Sequence, residues 1–396
     1  PSSATHRQSH GYSSRGFLII ANYTFAFPLF KLIILREGEK IMPYFRSDLQ
    51  DKKPSQISVP VRKRMMCLNE SCLNPYAAIK QQFLAKMEEI HLNRYLSFVT
   101  DELHSALTSY IGNRLNKDNV LWGNGADDIL YHIFLAVRET ANSYAVSLAP
   151  SYFDYKTFSA MVGLKMCFLN LNEDFSFSTD KYLELASNPD CRLAVLCNPN
   201  NPTGNLFSEA QLLQIIEALP EKLVLVDETY FEFSGKTLAG KLGQYPNLIL
   251  VRSFSKAFSA AGLRFGYAIS SAENIYELSK VLTTFHTSIL NQVFALTILE
   301  NQEIFQHQVQ QITKLREELF STLKTIENIK VYPSATNFLT FSLAERMPDF
   351  FSYLLTKDIA VRDVSSHPLL QNCLRVTVSC REDVDAFVSV LKQFLD

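Results

Sequence analysis

Short apolar runs that end in clusters of polar groups recur through the middle of the chain. Leu193-Ala194-Val195-Leu196 leads into Asn198-Pro199-Asn200-Asn201-Pro202-Thr203-Gly204, and Leu223-Val224-Leu225-Val226 into Asp227-Glu228-Thr229-Tyr230. Asn247-Leu248-Ile249-Leu250-Val251-Arg252 leads into Ser253-Phe254-Ser255-Lys256. Runs that are apolar at successive positions read as parallel strands buried on both faces. Around them the period changes to that of a helix. Pro75 to Leu92 places Ile79, Phe83, Met87 and Ile90 on one face, and Asp101 to Ile111 does so with Leu103, Leu107, Tyr110 and Ile111 before a capping Gly112. The turn Gly123-Asn124-Gly125-Ala126-Asp127 precedes the stripe Ile129, Leu130, Ile133, Phe134 and Val137. Ser208-Glu209-Ala210-Gln211 reads as a capping box opening a helix to Leu219, and Ser379-Cys380-Arg381-Glu382 as another opening the last helix. That last helix carries Val384, Phe387, Val388, Leu391 and Phe394 on one face, as a helix lying on a small sheet would.

Strands alternating with helices up to about Phe285 predict an α/β fold. Its large doubly wound domain, with a mostly parallel sheet, is expected over residues 75–285, and a smaller α+β domain over 286–396. Residues 42–74 are expected to form an arm joining the small domain. At 396 residues and 47% hydrophobic content, the chain can bury the core that two domains need. A net charge of −2 leaves no electrostatic footprint for nucleic acid. The 7 cysteines are odd in number and lack metal or redox spacing, which suits a reducing cytoplasm. The 8 histidines form no ligand cluster, so no metal is expected.

The first 41 residues stand apart. They hold no acidic residue before Glu37, and their apolar runs Phe17 to Phe30 and Leu32 to Leu35 are interrupted by Lys31. A targeting peptide and a membrane anchor are two readings, the second weakened by Asn22, Thr24, Pro28 and Lys31. The reading adopted is upstream sequence translated in frame, with Met42 the true start, because Arg36-Glu37-Gly38-Glu39 suits a purine-rich, ribosome-site-like stretch. No stable membrane association is expected.

The carboxyl edge of an open α/β sheet is where ligands bind. Here the strand ends supply an amide, Asn201, a carboxylate with a phenol, Asp227 and Tyr230, and a lysine, Lys256. A lysine amine can hold an aldehyde cofactor as an imine. A buried carboxylate keeps the pyridine nitrogen of pyridoxal phosphate protonated, so that the ring accepts electrons from a substrate carbanion. A phenol and an amide bonded to the ring oxygen favour its ionised form. Phosphate calls for hydroxyls, amides at a helix start and a cation, which Ser253, Ser255, Arg264 and the turn Gly125-Ala126-Asp127 offer.

With these motifs the chain resembles the fold-type I pyridoxal-phosphate aminotransferases and, within them, is most similar to the histidinol-phosphate aminotransferases. The resemblance runs from about Asn69 to the C-terminus and is strongest over Asn198 to Gly204, Asp227 to Phe233, Ser253 to Tyr267 and Cys373 to Ser379. It implies that Lys256 anchors the cofactor and moves the proton, that Asp227 pairs with the ring nitrogen, and that Asn201 and Tyr230 hold the ring oxygen. Tyr152 would stack on the ring. Tyr95 would reach the phosphate of the neighbouring subunit's cofactor, which makes the protein a homodimer. Arg375, in a strand whose alternate members would share one side, would clamp an α-carboxylate, a planar anion that a guanidinium suits better than an ammonium. Arg362 would bind the substrate's phosphate. Histidinol phosphate has no α-carboxylate and glutamate has one, so the arginines would serve two anions in turn. The implied reaction is histidinol phosphate plus 2-oxoglutarate giving imidazole acetol phosphate and glutamate.

Plainer readings stand beside these. In a chain with 17 tyrosines, Tyr152 and Tyr95 also read as half-buried packing residues. Arg362 also reads as a surface cation paired with Asp363 or a neighbouring strand. Glu228 reads as structural. The chain departs from the family where Leu68-Asn69-Glu70-Ser71-Cys72-Leu73-Asn74-Pro75-Tyr76 stretches the usual Asn-Glu-Asn-Pro, where Arg94-Tyr95-Leu96 replaces Arg-Tyr-Pro, and where Thr284-Phe285-His286 replaces a Pro-Tyr. Rival functions are an O-phosphothreonine decarboxylase and an aromatic amino-acid aminotransferase. A non-enzymatic regulator on the same fold is disfavoured, because residues 1–66 show no recognition helix and the catalytic set is complete.

Overall fold

The computed structural model describes residues 59–95, 97–112 and 115–396, together with Tyr44 and Arg46. The expectations for residues 1–41, for Met42 as the start and for Leu96 therefore lie outside the described residues. In the unit that begins at Val59, strands β2 (Val120–Gly123), β3 (Tyr144–Ala149), β4 (Lys165–Asn170), β5 (Cys191–Cys197), β6 (Leu223–Asp227), β7 (Leu248–Ser253) and β8 (Gly266–Ile269) form a 7-stranded sheet in the order β2-β8-β7-β6-β5-β3-β4. From β7 to β4 every pairing is parallel, while β8 runs antiparallel to both β7 and β2.

Alternation along the strands explains why the sequence shows unbroken apolar runs. Ala194, Leu196, Val224, Val226, Leu248 and Leu250 join one core, with side chains from α1 (Pro75–Met87), α2 (Val99–Ile111), α5 (Thr179–Ala186) and α6 (Glu209–Ala218). Their neighbours Leu193, Val195, Leu225, Ile249 and Val251 join a second core, with α3 (Ala126–Val137), α4 (Asp154–Val162) and α8 (Ala272–Ser279). Successive residues point to opposite faces, and both faces are covered, so neither tolerates a polar residue until the strand ends. The doubly wound α/β sheet expected from sequence is the one observed.

A second, 5-stranded sheet has the order β1-β11-β12-β10-β9, built from β1 (Arg64–Met66), β9 (Lys330–Val331), β10 (Phe338–Ser342), β11 (Ile359–Asp363) and β12 (Cys373–Thr377). Its core takes in α11 (Met347–Thr356) and α12 (Arg381–Leu395). α9 (Ile289–Glu300) buries Val293, Ala295, Leu296 and Ile298 in the core of the large sheet. Along α10 (Gln302–Lys324) the core changes, from Phe305 with the large sheet to Ile312, Leu315 and Leu319 with the small one. Short α7 (Phe231–Ser234) follows β6 directly.

Some local expectations are corrected. The first helix ends at Met87 rather than Leu92, because Glu89 and Ile90 bond back three residues as turns. Ser208 does cap its helix, its side chain accepting from the Gln211 N–H. Ser379 does not cap the last one. The N-cap there is Cys380 with no side-chain bond, and Ser379 is buried with its carbonyl accepting from the Cys72 thiol. The acidic Glu382 and Asp383 in the first turn favour the helix N-terminus in place of a cap. All of β12 is buried, so it has no solvent side.

A close backbone contact sets the site's floor. Gly266, at the start of β8, lies opposite Ser253 at the end of β7. A Cβ at Gly266 would fall 2.2 Å from the Ala126 nitrogen and 2.6 Å from the Gly125 carbonyl carbon, so the Gly125-Ala126 turn can rest on this strand only over a glycine. Gly266→Ala is expected to push that turn away and to cost about 1–3 kcal/mol in urea unfolding; unchanged stability would contradict the contact.

Candidate active site

Asp227 is the last residue of β6, and its carboxylate is buried. The Tyr155 phenol donates to Oδ2 at 2.7 Å and the Thr229 backbone N–H to Oδ1 at 3.0 Å. Among the described residues it joins no ion pair. Burial pushes its pKa up, and the bonds from Tyr155 and Thr229 oppose that rise. The next residue, Glu228, faces another buried network. It receives Arg252 Nε at 2.9 Å, the Leu238 N–H at 2.7 Å and the Thr237 hydroxyl at 2.8 Å. Adjacent carboxylates thus have separate surroundings: Glu228 is paired with Arg252 inside the fold, whereas Asp227 has no ion-pair partner among the described residues.

Lys256 follows β7 and its Nζ donates to the Leu68 carbonyl at 2.9 Å. Burial first, and the nearby Arg375 guanidinium second, lower its pKa to about 8 against the opposing pull of Glu70 and Asp127. Arg375 comes from β12 of the small sheet. It donates to Asn201 Oδ1 at 2.5 Å and to the Cys67 carbonyl at 3.0 Å, while its Nε has no partner among the described residues. Asn201 in turn donates to the Tyr230 hydroxyl at 3.3 Å, and Asn69 to the same oxygen at 2.8 Å. Burial pushes the Tyr230 phenol up. Arg362 of β11 lies opposite Arg375 in the strand register, so two guanidinium-bearing residues are neighbours across the sheet. Arg375 is lowered to about 10, chiefly by burial and with Arg362 contributing.

The expected phosphate set meets at the start of α3. Gly125 takes φ +93° as the N-cap, and a Cβ there would come within 2.7 Å of an Arg264 nitrogen. Arg264 pairs with Asp127 Oδ2 at 2.9 Å, and Tyr152 donates to Asp127 Oδ1 at 3.0 Å. Ser253 Oγ accepts from the Ser255 N–H at 3.1 Å, and Ser253 pairs with Gly266 beneath Ala126. The segment that departs from the family's Pro-Tyr braces this turn. Asn124 Nδ2 donates to the His286 carbonyl, and His286 Nε2 bonds the Trp122 carbonyl, both at 2.7 Å.

Hydrogen bonds, strand register and electrostatic influence thus bring Lys256, Asp227, Tyr230, Asn201, Arg375 and Arg362 near one another, and Arg264, Gly125, Ala126, Asp127, Tyr152, Ser253 and Ser255 meet around the turn before α3. Tyr95 is not among them. It is 79% exposed and stacks on Phe285 at 4.7 Å. Sequence reasoning missed Tyr155, whose signal was its spacing of three from Tyr152 on a helical start. It also missed the Leu68 and Cys67 carbonyls, which carry no side-chain signature. Asn69, in the sequence only a member of the stretched Asn-Glu-Asn-Pro segment, is buried and bonds Tyr230 and Thr377. A cavity of about 520 Å³ lined by Arg138, Arg192, Leu223 and Ile249 shares none of these residues. No group of three or more His, Cys, Asp or Glu that could hold a metal occurs among the described residues.

An amine lowered to about 8 binds fewer protons in the folded chain than in the unfolded one between that value and the ordinary 10.5. Stability is therefore held down below pH 8 and recovers as pH rises towards 10.5. Without added ligand, Lys256→Met is expected to be roughly 2–3 kcal/mol more stable than wild type in urea at pH 7, with the gap closing by pH 10. A gap that does not change with pH would contradict a Lys256 amine whose pKa is lowered in the folded chain.

Comparison with known proteins agrees with this geometry. The sequence model of the family described as "Aminotransferase class I and II" matches residues 65–391. The histidinol-phosphate aminotransferase of Caldanaerobacter subterraneus subsp. tengcongensis is 33% identical over 350 residues, covering 88% of this chain and 98% of that protein. The crystal structure of the Sinorhizobium meliloti histidinol-phosphate aminotransferase, in complex with pyridoxal-5'-phosphate, superposes with a TM-score of 0.77 at 20% identity, over 89% of this chain and 99% of that one. The L-threonine-O-3-phosphate decarboxylase of Porphyromonas gingivalis superposes with a TM-score of 0.72 at 21% identity, over 84% and 99%. These two structures share the fold, and the sequence match over most of the chain goes further: the protein belongs to the aminotransferase class I and II family.

Proposed function

We propose that this cleft holds pyridoxal phosphate and exchanges an amino group between histidinol phosphate and 2-oxoglutarate. The observation that carries the proposal is the pairing of an unmatched buried carboxylate, Asp227, with a lysine lowered to about 8, Lys256, on neighbouring strand ends. The residues present fit the group. Asp227 lacks a cation that a protonated ring nitrogen would supply, Arg375 has an unpaired Nε, and the glycine turn at the start of α3 leaves backbone open to a phosphate. Bound there, pyridoxal phosphate supplies an aldehyde that condenses with amines and a ring that accepts the electrons left on the substrate carbon.

The chain's own residues do the rest. Asp227 would pair with the ring nitrogen, and Asn201 and Tyr230, already bonded to each other, would hold the ring oxygen. Lys256, its amine lowered to about 8, would take the proton from the substrate carbon that bears nitrogen. Tyr152 would cover the ring, and Ser253, Ser255, Arg264, Gly125, Ala126 and Asp127 would take the phosphate. Arg375 and Arg362, side by side in register, serve the carboxylates of 2-oxoglutarate and glutamate and the phosphate of histidinol phosphate in turn. The names of the relatives support the choice of substrate. A cytoplasmic homodimer belongs to the same reading. The exposed Tyr95–Phe285 stack, one residue from the His286 that braces the phosphate turn, supports a Tyr95 that reaches a partner's site.

With added cofactor, the protein is expected to form glutamate from histidinol phosphate and 2-oxoglutarate. Carbon dioxide release from O-phosphothreonine without 2-oxoglutarate consumption, or faster turnover of phenylalanine, would replace this reading with a rival one. Arg362→Ala is expected to raise KM for histidinol phosphate roughly 10- to 100-fold while leaving turnover of phenylalanine, if any, within about twofold. Equal losses on both amino donors would remove Arg362 from phosphate binding.

A further inference from the structure

We infer that Tyr155 is a positioning residue that clamps the Asp227 carboxylate for the ring nitrogen of the cofactor, an inference that rests on the cofactor reading above. The phenol is fully buried and donates to Oδ2 at 2.7 Å, while the Thr229 N–H takes Oδ1 at 3.0 Å. Each carboxylate oxygen thus has a donor of its own, so the plane of the group is held from both sides. A buried anion with no cation beside it is unstable unless hydrogen-bonded. Among the described residues Tyr155 supplies the one side-chain phenol donor that reaches it. Burial is the largest influence on Asp227 and acts to neutralise it, and the Tyr155 bond is the first to oppose that. A neutral carboxyl would be a poor partner for a pyridinium.

Packing shows that Tyr155 is itself held. Its ring stacks with Phe134 at 6.5 Å and meets Tyr152 edge-on at 5.4 Å. Tyr152 is the residue placed to cover the cofactor ring, and its own hydroxyl is tied to Asp127 of the phosphate turn. The same side chain therefore touches Asp227 and Tyr152, the two residues that the cofactor reading assigns to the ring nitrogen and the ring face. A purely structural tyrosine would support both equally. A clamp acts through the nitrogen alone, and that difference can be measured.

The test uses apo wild type and Tyr155→Phe, which removes only the hydroxyl, with folding of each checked by its apo melting curve. Dissociation constants are measured by equilibrium dialysis for pyridoxal phosphate and for its 1-deaza analogue, in which a ring CH replaces the nitrogen. Tyr155→Phe is expected to weaken pyridoxal phosphate roughly tenfold, the scale of a lost hydrogen bond to a charged group, and the deaza analogue by less than about twofold. Tyr155→His, which keeps an N–H donor, is expected to retain more of the wild-type preference for the nitrogen-containing ring, and it gives the same reading if the phenylalanine variant does not fold. Equal weakening of both rings, or of neither, overturns the clamp while leaving the cofactor reading intact. Failure of wild type to bind either ring overturns the cofactor reading and the clamp with it.

Discussion

Holding one buried carboxylate by hydrogen bonds, without a cation of the protein's own beside it, is the constraint on which the site depends. Asp227 meets it with a phenol and a backbone N–H. Its neighbour Glu228 shows the alternative, a buried pair with Arg252 at 2.9 Å that consumes the charge for folding. Taking both ions of such a pair out of water is costly unless each is fully bonded. The fold meets that cost for Glu228 with Thr237 and Leu238 and leaves Asp227 free to bind something else. Lys256 is subject to the same low-dielectric surroundings in the opposite sense. Burial and Arg375 favour its neutral form, which is the form that acts as nucleophile and base.

The two sheets contribute unequal kinds of group to this balance. The large sheet is buried on both faces, so its polar residues are concentrated at the strand ends, where Asn201, Asp227 and Lys256 emerge. The small sheet brings the cations, Arg375 and Arg362, in register with each other. Between them runs the segment from Cys67 to Asn69. Its carbonyls accept from Arg375 and Lys256, and Asn69 ties Tyr230 of the large sheet to Thr377 of the small one. Leu68 and Asn69 also open the stretch Leu68 to Tyr76 in which the sequence reading expects a departure from the family, and both bond into the site.

Much of this was legible in the sequence because the relevant physics is local. Unbroken apolar runs followed by polar clusters are what a strand buried on both faces must look like, and β5, β6 and β7 fall where those runs lie. The turn before α3 was legible because Gly125 at φ +93° is a position that other residues resist. What the sequence hid was tertiary. Ser379 has the right spacing for a cap, yet its surroundings bury it and move the helix start to Cys380. Tyr155 looks like any core aromatic until the end of β6 is placed against it. The Leu68 carbonyl that receives Lys256 has no signature in any sequence.

Borohydride reduction of the protein equilibrated with pyridoxal phosphate, followed by peptide mass mapping, tests the central assignment most directly. The account predicts a stable phosphopyridoxyl adduct on the peptide containing Lys256 and on no other lysine, because Lys256 is the amine whose surroundings lower its pKa to about 8. An adduct spread over surface lysines, or none at all in folded protein, would contradict it.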